Sequence, residues 1–274
     1  MDFQRTFDFT SKVVAVTGGG GVLCSTMARA LAGCGAAVAV LDLNLAAAEQ
    51  VAAEIRDRGG KAMAIQTNVL DKRSLAEAAD KIVEAHGRVD ILINGAGGAK
   101  KEATTSPTLP FWDLPEEAVR WVFDLNFMGT FLACQVFGRR MVEQGSGCIL
   151  NISSMGSNRP LTRSVAYSAA KAAVTNFTRW LAVHISQEYS ANIRVNAIAP
   201  GFFLTDQNRF LLLDELSGEL TERGGRIIAH TPAGRFGQPD DLLGPALLLL
   251  SDVAGFVHGT TLAVDGGFEA YGGV

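Results

Sequence analysis

Short apolar runs and longer amphipathic segments alternate along this chain. The short runs are rich in β-branched residues and end at glycine or polar residues, which is typical of strands buried on both faces. The segments between them repeat apolar residues at helical spacing. The pattern predicts strands at 12–16, 37–41, 62–66, 89–93, 148–152, 192–198 and 260–264. It predicts helices at 25–33, 44–58, 71–86, 115–143, 167–189 and 240–252.

This alternation runs through most of the chain, without an internal repeat or linker. It predicts a single α/β domain over residues 1–274, with a Rossmann-type, doubly wound parallel sheet of about seven strands and helices on both faces. Residues 98–113 are polar and contain prolines, so we expect a loop beside the active site. Residues 202–231 mix short helical pieces, and we expect them to form a lid over the substrate.

Composition and charge narrow the class of protein. The 274 residues are 48% hydrophobic and 19% charged, which is enough apolar material for a core. The formal charge is −4 and no basic cluster exceeds a pair, so we expect no nucleic-acid partner. The apolar runs are too short to span a bilayer and the N-terminus lacks a signal core, so we expect no membrane partner and a cytoplasmic location. The four cysteines lack Cys-x-x-Cys spacing, so we expect reduced thiols and no metal site.

The first predicted strand, turn, helix and second strand have the order of a dinucleotide-binding unit. Thr17 is followed by four glycines, Gly18 to Gly21, and the second strand is followed by Asp42. Glycines let the backbone approach a pyrophosphate at the N-terminus of the next helix. Asp42 can accept hydrogen bonds from the adenosine ribose, whereas its charge would repel a 2′-phosphate and Leu43 offers that phosphate no positive partner. The sequence therefore predicts NAD (NADH) as the cofactor.

A second group of residues points to proton transfer. Tyr167 and Lys171 share one face of a predicted helix, one turn apart. An ammonium there favours the phenolate, so we expect Lys171 to lower the pKa of Tyr167 from about 10. Ser154 follows the fifth predicted strand and could hydrogen-bond a substrate oxygen while Tyr167 moves the proton. Alone, the Tyr/Lys pair is more often a chance helical spacing than a catalytic pair.

In combination, these motifs resemble the short-chain dehydrogenase/reductase superfamily of the classical type, over residues 10–274. The matching residues are Thr17-Gly18, Asn94-Gly95-Ala96-Gly97, Asn126, Ser154, Tyr167, Lys171, Pro200-Gly201 with Thr205, and Asp265-Gly266-Gly267. The resemblance implies hydride transfer between a nicotinamide and an alcohol or ketone. It implies that Tyr167 is the acid/base, that Ser154 polarises the substrate oxygen, and that Lys171 holds the nicotinamide ribose. Asn126 would position a water that relays protons to Lys171.

The same resemblance implies a set of cofactor contacts along the edge of the sheet. We expect them from Gly18, Gly20, Gly21, Val22, Leu23, Asp42, Leu43, Asn68, Val69, Asn94, Ala96, Gly97, Tyr167, Lys171, Pro200, Gly201, Phe203 and Thr205. The glycine loop departs from the family pattern, because Val22 and Cys24 align with its second and third glycines. Cys24 adds a side chain where the helix packs closely on the strand, so its effect on the loop path and cofactor affinity stays open. Asn68 replaces the more usual Asp near the adenine, a mild change because Asn both donates and accepts.

More narrowly, the chain resembles the group of D-mannonate oxidoreductases, or fructuronate reductases, within this superfamily. The stretches that match are TGGGGVL at 17–23, NGAGG at 94–98, NISSM at 151–155, RPLT at 159–162, WLAVH at 180–184 and APGFFLT-x-QNR at 199–209. The group implies a sugar-acid substrate, D-mannonate or D-fructuronate, whose carboxylate fits an arginine fork. Arg159 is our first candidate for this contact. Weaker candidates are Lys100, Arg163, Gln207, Asn208 and Arg209.

Two alternatives stay open at this point. One is a gluconate- or 2-deoxygluconate-type dehydrogenase, and the other is a protein that senses NAD(H) without catalysis. The family resemblance also implies a homo-oligomer, a tetramer or a dimer, packed through the two long helices that start near Pro115 and Tyr167. The second of these is apolar around its circumference, so we expect it to be buried. The C-terminal tail could reach a neighbouring active site.

Overall fold

A single parallel sheet forms the centre of the fold in a computed structural model that describes residues 7–205, 209–214 and 217–273. Its strands are β1 (Val13–Thr17), β2 (Ala37–Asp42), β3 (Lys61–Gln66), β4 (Ile91–Asn94), β5 (Gly147–Ile152), β6 (Ile193–Pro200) and β7 (Thr261–Val264). Within the described residues they lie in the order β3-β2-β1-β4-β5-β6-β7. The strand order reverses between β1 and β4, and ligands of such sheets bind at the carboxyl ends beside that point. The predicted Rossmann-type fold is confirmed.

Helices cover both faces of this sheet. They are α1 (Val22–Gly33), α2 (Leu45–Asp57), α3 (Lys72–His86), α4 (Glu116–Phe123), α5 (Gly129–Gln144), α6 (Val165–Glu188), α7 (Arg209–Leu212), α8 (Glu222–Ala229) and α9 (Leu243–Leu250). One face packs against α1, α2 and α9, and the other against α3, α5 and α6. Successive side chains of a strand point to opposite faces, so Val14 and Val16 enter one core and Val13 and Ala15 the other. This explains why the central strands are apolar throughout.

The helix predicted at 115–143 is interrupted in the middle. Between α4 and α5 the chain forms one π-helical turn, Asp124–Met128, which contains Asn126. Such turns add a residue to a helix and occur often at functional sites. Apolar spacing does not reveal one, because the same apolar face continues on both sides of it.

Other boundaries also differ from the prediction. The first helix begins at Val22, directly after the glycines, with Gly21 as its N-cap. The segment predicted as a helix at 240–252 is a 3₁₀ turn, Pro239–Leu242, followed by the shorter α9. Within one chain, α6 is not buried around its whole circumference, because Trp180 and Val183 are 54% and 57% exposed; its burial against a second copy of the protein stays a prediction.

The two irregular segments of the sequence lie at the carboxyl edge of the sheet. The 98–113 segment is tied to the chain between Ser154 and Tyr167, because the Thr105 amide donates to the Arg163 carbonyl at 3.0 Å. In the 202–231 segment, α7 and α8 are joined by a bond from the Thr221 amide to the Leu212 carbonyl at 3.0 Å. Two predicted substrate residues of this segment, Gln207 and Asn208, lie outside the described residues. None of the helices described is long and apolar enough to cross a bilayer.

Candidate active site and cofactor cleft

The glycine turn between β1 and α1 packs against the end of β4. Gly18 has a φ of +63°, and a Cβ there would lie 2.8 Å from the Ala96 amide nitrogen. Only glycine fits both the conformation and the close approach. Since α1 begins at Val22, the amides of Val22 and Leu23 belong to its first turn, which leaves N–H groups for an anion. The turn therefore has the shape of a pyrophosphate cradle.

Asp42 closes the adenosine side of this cradle. Its Oδ2 accepts from the Gly20 amide at 3.0 Å, and its Oδ1 accepts from the Asn44 amide at 2.9 Å. These bonds fix the carboxylate at the end of β2, and the neighbouring Leu43 is 65% exposed. A carboxylate accepts about four hydrogen bonds, so acceptor capacity remains for ribose hydroxyls. The arrangement suits NAD and opposes a 2′-phosphate.

Asn68 and Val69 follow β3 on the same edge. The exposed Asn68 uses its Oδ1 to accept from the Leu70 amide at 3.0 Å, so its amide nitrogen is the group left to face a ligand. Val69 is buried against Gly129 at the start of α5. Only the backbone of Val69 can therefore contact a cofactor.

The side chain of Asn94 points into the protein interior. Its Nδ2 donates to Asn151 Oδ1 at 2.8 Å and to Cys134 Sγ at 3.2 Å, and Asn151 donates in turn to Thr178 Oγ1 at 2.9 Å. The Asn94 Oδ1 atom is buried and has no hydrogen-bond partner in the described part of the chain. Only the backbone of Asn94 can contribute to a cofactor site. Ala96, two residues on, anchors the turn through its amide, which donates to Thr17 Oγ1 at 3.3 Å.

Asn126 ties the π-helical turn to the strand end. Its Nδ2 donates to the carbonyls of Gly98 at 2.7 Å and Val122 at 2.8 Å, and its Oδ1 accepts from the Gly98 amide at 3.1 Å. At Gly97, a Cβ would lie 2.6 Å from Asn126 Oδ1 and 3.3 Å from Lys171 Nζ. A side chain at residue 97 would separate these groups. The role of Asn126 in positioning a water stays a prediction.

Ser154, Tyr167 and Lys171 come together from β5 and α6. The Lys171 ammonium is buried, donates to the Ile152 carbonyl at 2.8 Å, and lies 5.7 Å from the centre of the Tyr167 ring. Ser154 Oγ accepts from the Gly156 amide at 3.1 Å and also hydrogen-bonds the Tyr167 side chain. The structure thus brings together the three residues that the sequence predicts for proton transfer.

Burial controls the protonation of these groups. It raises the pKa of the Tyr167 phenol above 10.0, and the hydrogen bond with Ser154 offsets part of that rise. The expectation that Lys171 lowers the pKa of Tyr167 is therefore wrong for this arrangement, because loss of solvation decides the direction. Burial also lowers the pKa of Lys171 from 10.5 to about 8. Both side chains are in their protonated forms at neutral pH.

Cys24 fills a gap between α1 and β4. Its thiol is buried and lies against Gly95, and a Cβ at residue 95 would come well inside 3.0 Å of the sulfur. Burial raises the pKa of this thiol to about 12, so it is protonated and behaves as an apolar group. The side chain that the family pattern lacks at position 24 is thus accommodated by the glycine at position 95.

The end of β6 offers a cofactor backbone groups more than side chains. The Gly201 amide donates to the Val264 carbonyl at 3.0 Å, directly after Pro200. Phe203, a predicted cofactor contact, is buried with its ring against Gly237, so only its backbone can reach a cofactor. Thr205 is partly buried, and its carbonyl accepts from the Arg209 amide at 2.9 Å.

Two of the predicted carboxylate contacts have other partners. Arg159 Nη1 donates to the Tyr271 carbonyl at 3.1 Å, and the adjacent Asn158 donates to Glu269 Oε1 at 2.6 Å. The C-terminal tail therefore packs against its own chain through these two contacts, and its reach to a neighbouring active site stays a prediction. Lys100 lies over the ring of Trp121, 5.3 Å from its centre. Both side chains keep donors that these contacts do not use, so their role as substrate contacts stays a prediction.

Arg223 on α8 was not predicted from the sequence. It lies in the 202–231 segment, where burial and then the charge of Arg163 lower the pKa of its guanidinium. No sequence signal separates it from the nearby Arg226, because both are basic residues in a short polar helix.

Comparison with known proteins agrees with this geometry. A family model described as enoyl-(acyl carrier protein) reductase matches residues 22–269. The uncharacterized oxidoreductase UxuB of Bacillus subtilis (strain 168) is 47% identical over 276 residues, which cover 97% of this chain and 98% of that protein. The 2-dehydro-3-deoxy-D-gluconate 5-dehydrogenase of Dickeya dadantii (strain 3937) is 34% identical over 267 residues, 97% of this chain and 98% of that protein.

One solved structure shares the whole architecture. It is a D-mannonate oxidoreductase candidate from Haemophilus influenza with bound NAD, 45% identical, with a TM-score of 0.93 over 100% of both chains. The glycine cradle and Asp42 fit such a dinucleotide, and Ser154, Tyr167 and Lys171 lie at the same edge of the sheet. The chain therefore belongs to the short-chain dehydrogenase/reductase family, as an NAD-dependent oxidoreductase that acts on alcohol groups.

Proposed function

We propose that this enzyme interconverts a secondary alcohol and a ketone on a sugar acid, D-mannonate and D-fructuronate, with NAD(H). The observation that carries the proposal is the meeting of Ser154, Tyr167 and Lys171 at the edge of the sheet that also bears the glycine cradle. Similarity over the full length to the mannonate oxidoreductase candidate supports the choice of substrate.

The protonation states favour ketone reduction at neutral pH. NAD(H), when bound, carries the hydride. Tyr167 keeps its proton, because burial raises its pKa, and donates it to the oxygen of the substrate ketone. Ser154, which hydrogen-bonds Tyr167, donates from its hydroxyl to the same ketone oxygen and fixes its position. The charged Lys171 then stabilises the phenolate that remains on Tyr167. Oxidation of the alcohol uses the same groups in reverse.

Asn126 supports this chemistry from the π-helical turn. Its hydrogen bonds to both backbone groups of Gly98 hold the strand-end turn beside Lys171. We propose that Asn126 also positions a water for reprotonation of Tyr167 through Lys171, as the family resemblance implies. The cofactor contacts predicted from the sequence remain proposals, with backbone contacts only from Val69, Asn94 and Phe203.

Two other functions compete with this one. A gluconate-type dehydrogenase is supported by the Dickeya relative, which shares the same family and most of its length. A sensor that binds NAD(H) without catalysis is disfavoured by the complete set of Asn126, Ser154, Tyr167 and Lys171. The difference between the two enzymes lies in the substrate, whereas the sensor differs in having no turnover.

A screen of NADH oxidation over keto-uronates and ketogluconates separates these functions. We expect the highest kcat/KM with D-fructuronate, and we expect Tyr167→Phe to abolish turnover while it keeps NADH binding. A higher kcat/KM with 5-ketogluconate would favour the gluconate-type enzyme. Tight NADH binding without turnover of any sugar acid would favour the sensor.

We further propose that the enzyme forms a homo-oligomer, a tetramer or a dimer, through α5 and α6. The outer face of α6 exposes the apolar side chains of Trp180 and Val183, next to the ring of His184 stacked on Trp180. Trp180→Glu should therefore give smaller particles in light scattering, since a charge at an apolar contact is costly to desolvate. An unchanged mass would place the contact elsewhere. The cytoplasmic location stays a prediction from the sequence.

A further inference from the structure

The C-terminal tail, residues 265–271, is folded by its own first residue. Asp265 follows β7, and its two carboxylate oxygens accept from the Gly267 amide at 2.9 Å and from the Glu269 amide at 2.7 Å. The Tyr271 amide then donates to the Gly267 carbonyl at 3.1 Å. Bonds from an Asp side chain to nearby amides stabilise turns of this kind. The tail therefore holds its shape through contacts within itself.

Aromatic contacts fix the tail between the end of β6 and the end of α8. The ring of Phe268 packs edge-to-face against Phe202, two residues after β6, with the ring centres 5.2 Å apart. The ring of Tyr271 packs in the same way against His230, directly after α8, at 5.9 Å. Such pairs are favourable because the positive edge of one ring meets the negative face of the other. These contacts anchor the tail without help from the residues around Ser154.

Two further contacts join the tail to the segment that carries Ser154. Asn158 Nδ2 donates to Glu269 Oε1 at 2.6 Å, and Arg159 Nη1 donates to the Tyr271 carbonyl at 3.1 Å. A hydrogen bond to a carboxylate is shorter and stronger than one between neutral groups, which agrees with the distance between Asn158 and Glu269. Since the tail has its own anchors, these two contacts restrain the segment that carries Ser154.

Ser154 and Asn158 are the two ends of one compact turn. The Ser154 carbonyl accepts from the Ser157 amide at 2.9 Å, and the Ser154 Oγ atom accepts from the Gly156 amide at 3.1 Å. The Met155 carbonyl accepts from the Asn158 amide at 3.2 Å. Because these bonds connect the residues from 154 to 158, a displacement of Asn158 also displaces Ser154.

We propose that Glu269 is a positioning residue of the active site, which fixes the orientation of Ser154 through Asn158. A group that acts on a substrate has to lie within about 0.5 Å of its productive position, and hydrogen bonds from supporting residues supply this precision. Without Glu269 the turn would become ordered only when the substrate binds, so the substrate would bind more weakly. The inference rests on the proposed function in one respect, the contact of Ser154 with the substrate oxygen.

Exchange of donor and acceptor tests the contact between Glu269 and Asn158. We expect Glu269→Ala to raise KM for D-fructuronate about threefold to tenfold, because one charge-assisted hydrogen bond is lost, and to leave kcat within about twofold of wild type. Asn158→Asp should raise KM at least as much, since it places two carboxylates against one another. The double variant Asn158→Asp/Glu269→Gln should recover the wild-type KM, because the amide at residue 269 then donates to the carboxylate at residue 158.

Stability and cofactor binding verify that these variants are folded. Asn158 is exposed and the tail has its own anchors, so Tm and the affinity for NAD should stay close to the wild-type values. Glu222→Gln is the matched control, because it removes an exposed carboxylate of α8 that pairs with Arg226 and not with the segment that carries Ser154.

A cycle with Ser154→Ala shows whether the effect passes through Ser154. D-fructuronate and NAD are both oxidised, so together they bind without reacting, and calorimetric titration gives the dissociation constant of D-fructuronate from the NAD-saturated enzyme. Glu269→Ala should raise this constant about threefold to tenfold in the wild-type background and less than about twofold in the Ser154→Ala background. An equal rise in both backgrounds would overturn the inference, because the tail would then act on the substrate without Ser154.

The same variants separate this inference from the proposed function. If the wild type reduces D-fructuronate and both Glu269→Ala and Asn158→Asp leave its KM unchanged, the tail does not position Ser154 and the proposed function stands. If the wild type reduces no sugar acid, the variants are assayed with the ketone that it reduces best. A rise in KM for that ketone, reversed in the double variant, would support the positioning role while the proposed substrate is wrong.

Discussion

The contact between Cys24 and Gly95 predicts that these two positions cannot both carry a large side chain. A methyl group at residue 95 would lie well inside 3.0 Å of Cys24 Sγ and 3.0 Å from the Thr17 carbonyl oxygen. The sulfur is the closer obstacle, and it belongs to a buried helix that cannot easily move. In contrast, the same methyl group would lie 3.5 Å from Cys24 Cβ, which is an ordinary contact.

The size of the effect follows from these distances. Overpacking of this kind costs about 1–3 kcal/mol, so Gly95→Ala should lower the free energy of unfolding by about 2 kcal/mol. Cys24→Ala removes a buried sulfur and should cost about 1 kcal/mol. In the double variant the clash with the sulfur is gone and only the tight 3.0 Å contact with the Thr17 carbonyl oxygen remains. The two costs should therefore not add, and the coupling free energy should be about 1–2 kcal/mol in favour of the pair.

Urea denaturation of the four proteins measures this coupling, and NAD titration shows whether it reaches the cofactor. We expect Gly95→Ala to weaken NAD binding and the double variant to recover it, because residue 95 joins the cradle to the turn at Gly97. Gly98→Ala is the matched control, since a Cβ there meets nothing within 4 Å. Additive costs in the double variant would refute the argument that the thiol occupies the space of a residue-95 side chain.

Three further predictions concern charge. Lys171→Met should abolish turnover yet raise the free energy of unfolding, measured in urea at pH 7, by about 1–3 kcal/mol, because burial lowers the Lys171 pKa to about 8 and the charged form therefore opposes folding. Between about pH 8 and 10.5 the folded wild type loses this proton before the unfolded chain does, so its stability should rise and the advantage of the variant should disappear. The kcat/KM of ketone reduction should fall above about pH 8, where Lys171 loses its charge, whereas the kcat/KM of alcohol oxidation should keep rising with pH because burial raises the pKa of Tyr167 above 10.0. A kcat/KM of reduction that stays constant up to about pH 10 would contradict the role of Lys171. Asp42→Ala should reduce the preference for NAD over NADP, measured as the ratio of their kcat/KM values, by about tenfold or more. A wild type that already prefers NADP would contradict the argument that the Asp42 carboxylate repels a 2′-phosphate.

Much of this architecture could be predicted from local pattern. The apolar runs predicted the seven strands in their sequence order, because parallel strands that are buried on both faces consist of consecutive apolar residues. The glycine turn, Asp42, Ser154, Tyr167 and Lys171 were recognisable because each sits at a strand end or on one helix face. These features depend on neighbours in sequence.

What escaped prediction depends on contacts between distant segments. The π-helical turn at Asn126 is stabilised by Gly98, and Arg159 is bound by Tyr271, neither of which its own neighbours reveal. The Cys24 side chain fits because residue 95 is a glycine, and the sequence shows both residues but not that they are in contact. The direction of the Tyr167 pKa was wrong because spacing on a helix indicates a nearby ammonium but not the loss of solvent.

The contact of the tail with residues 158 and 159 has a consequence for proteolysis. Asn158 and Arg159 hold Glu269 and Tyr271, and both follow the short turn that begins at Ser154. A carboxypeptidase that trims past Glu269 removes both contacts without touching the sheet. Such an enzyme preparation should keep its unfolding transition and its affinity for NAD while its KM for substrate drifts upward. Loss of the last few residues should thus change KM before it changes the unfolding transition.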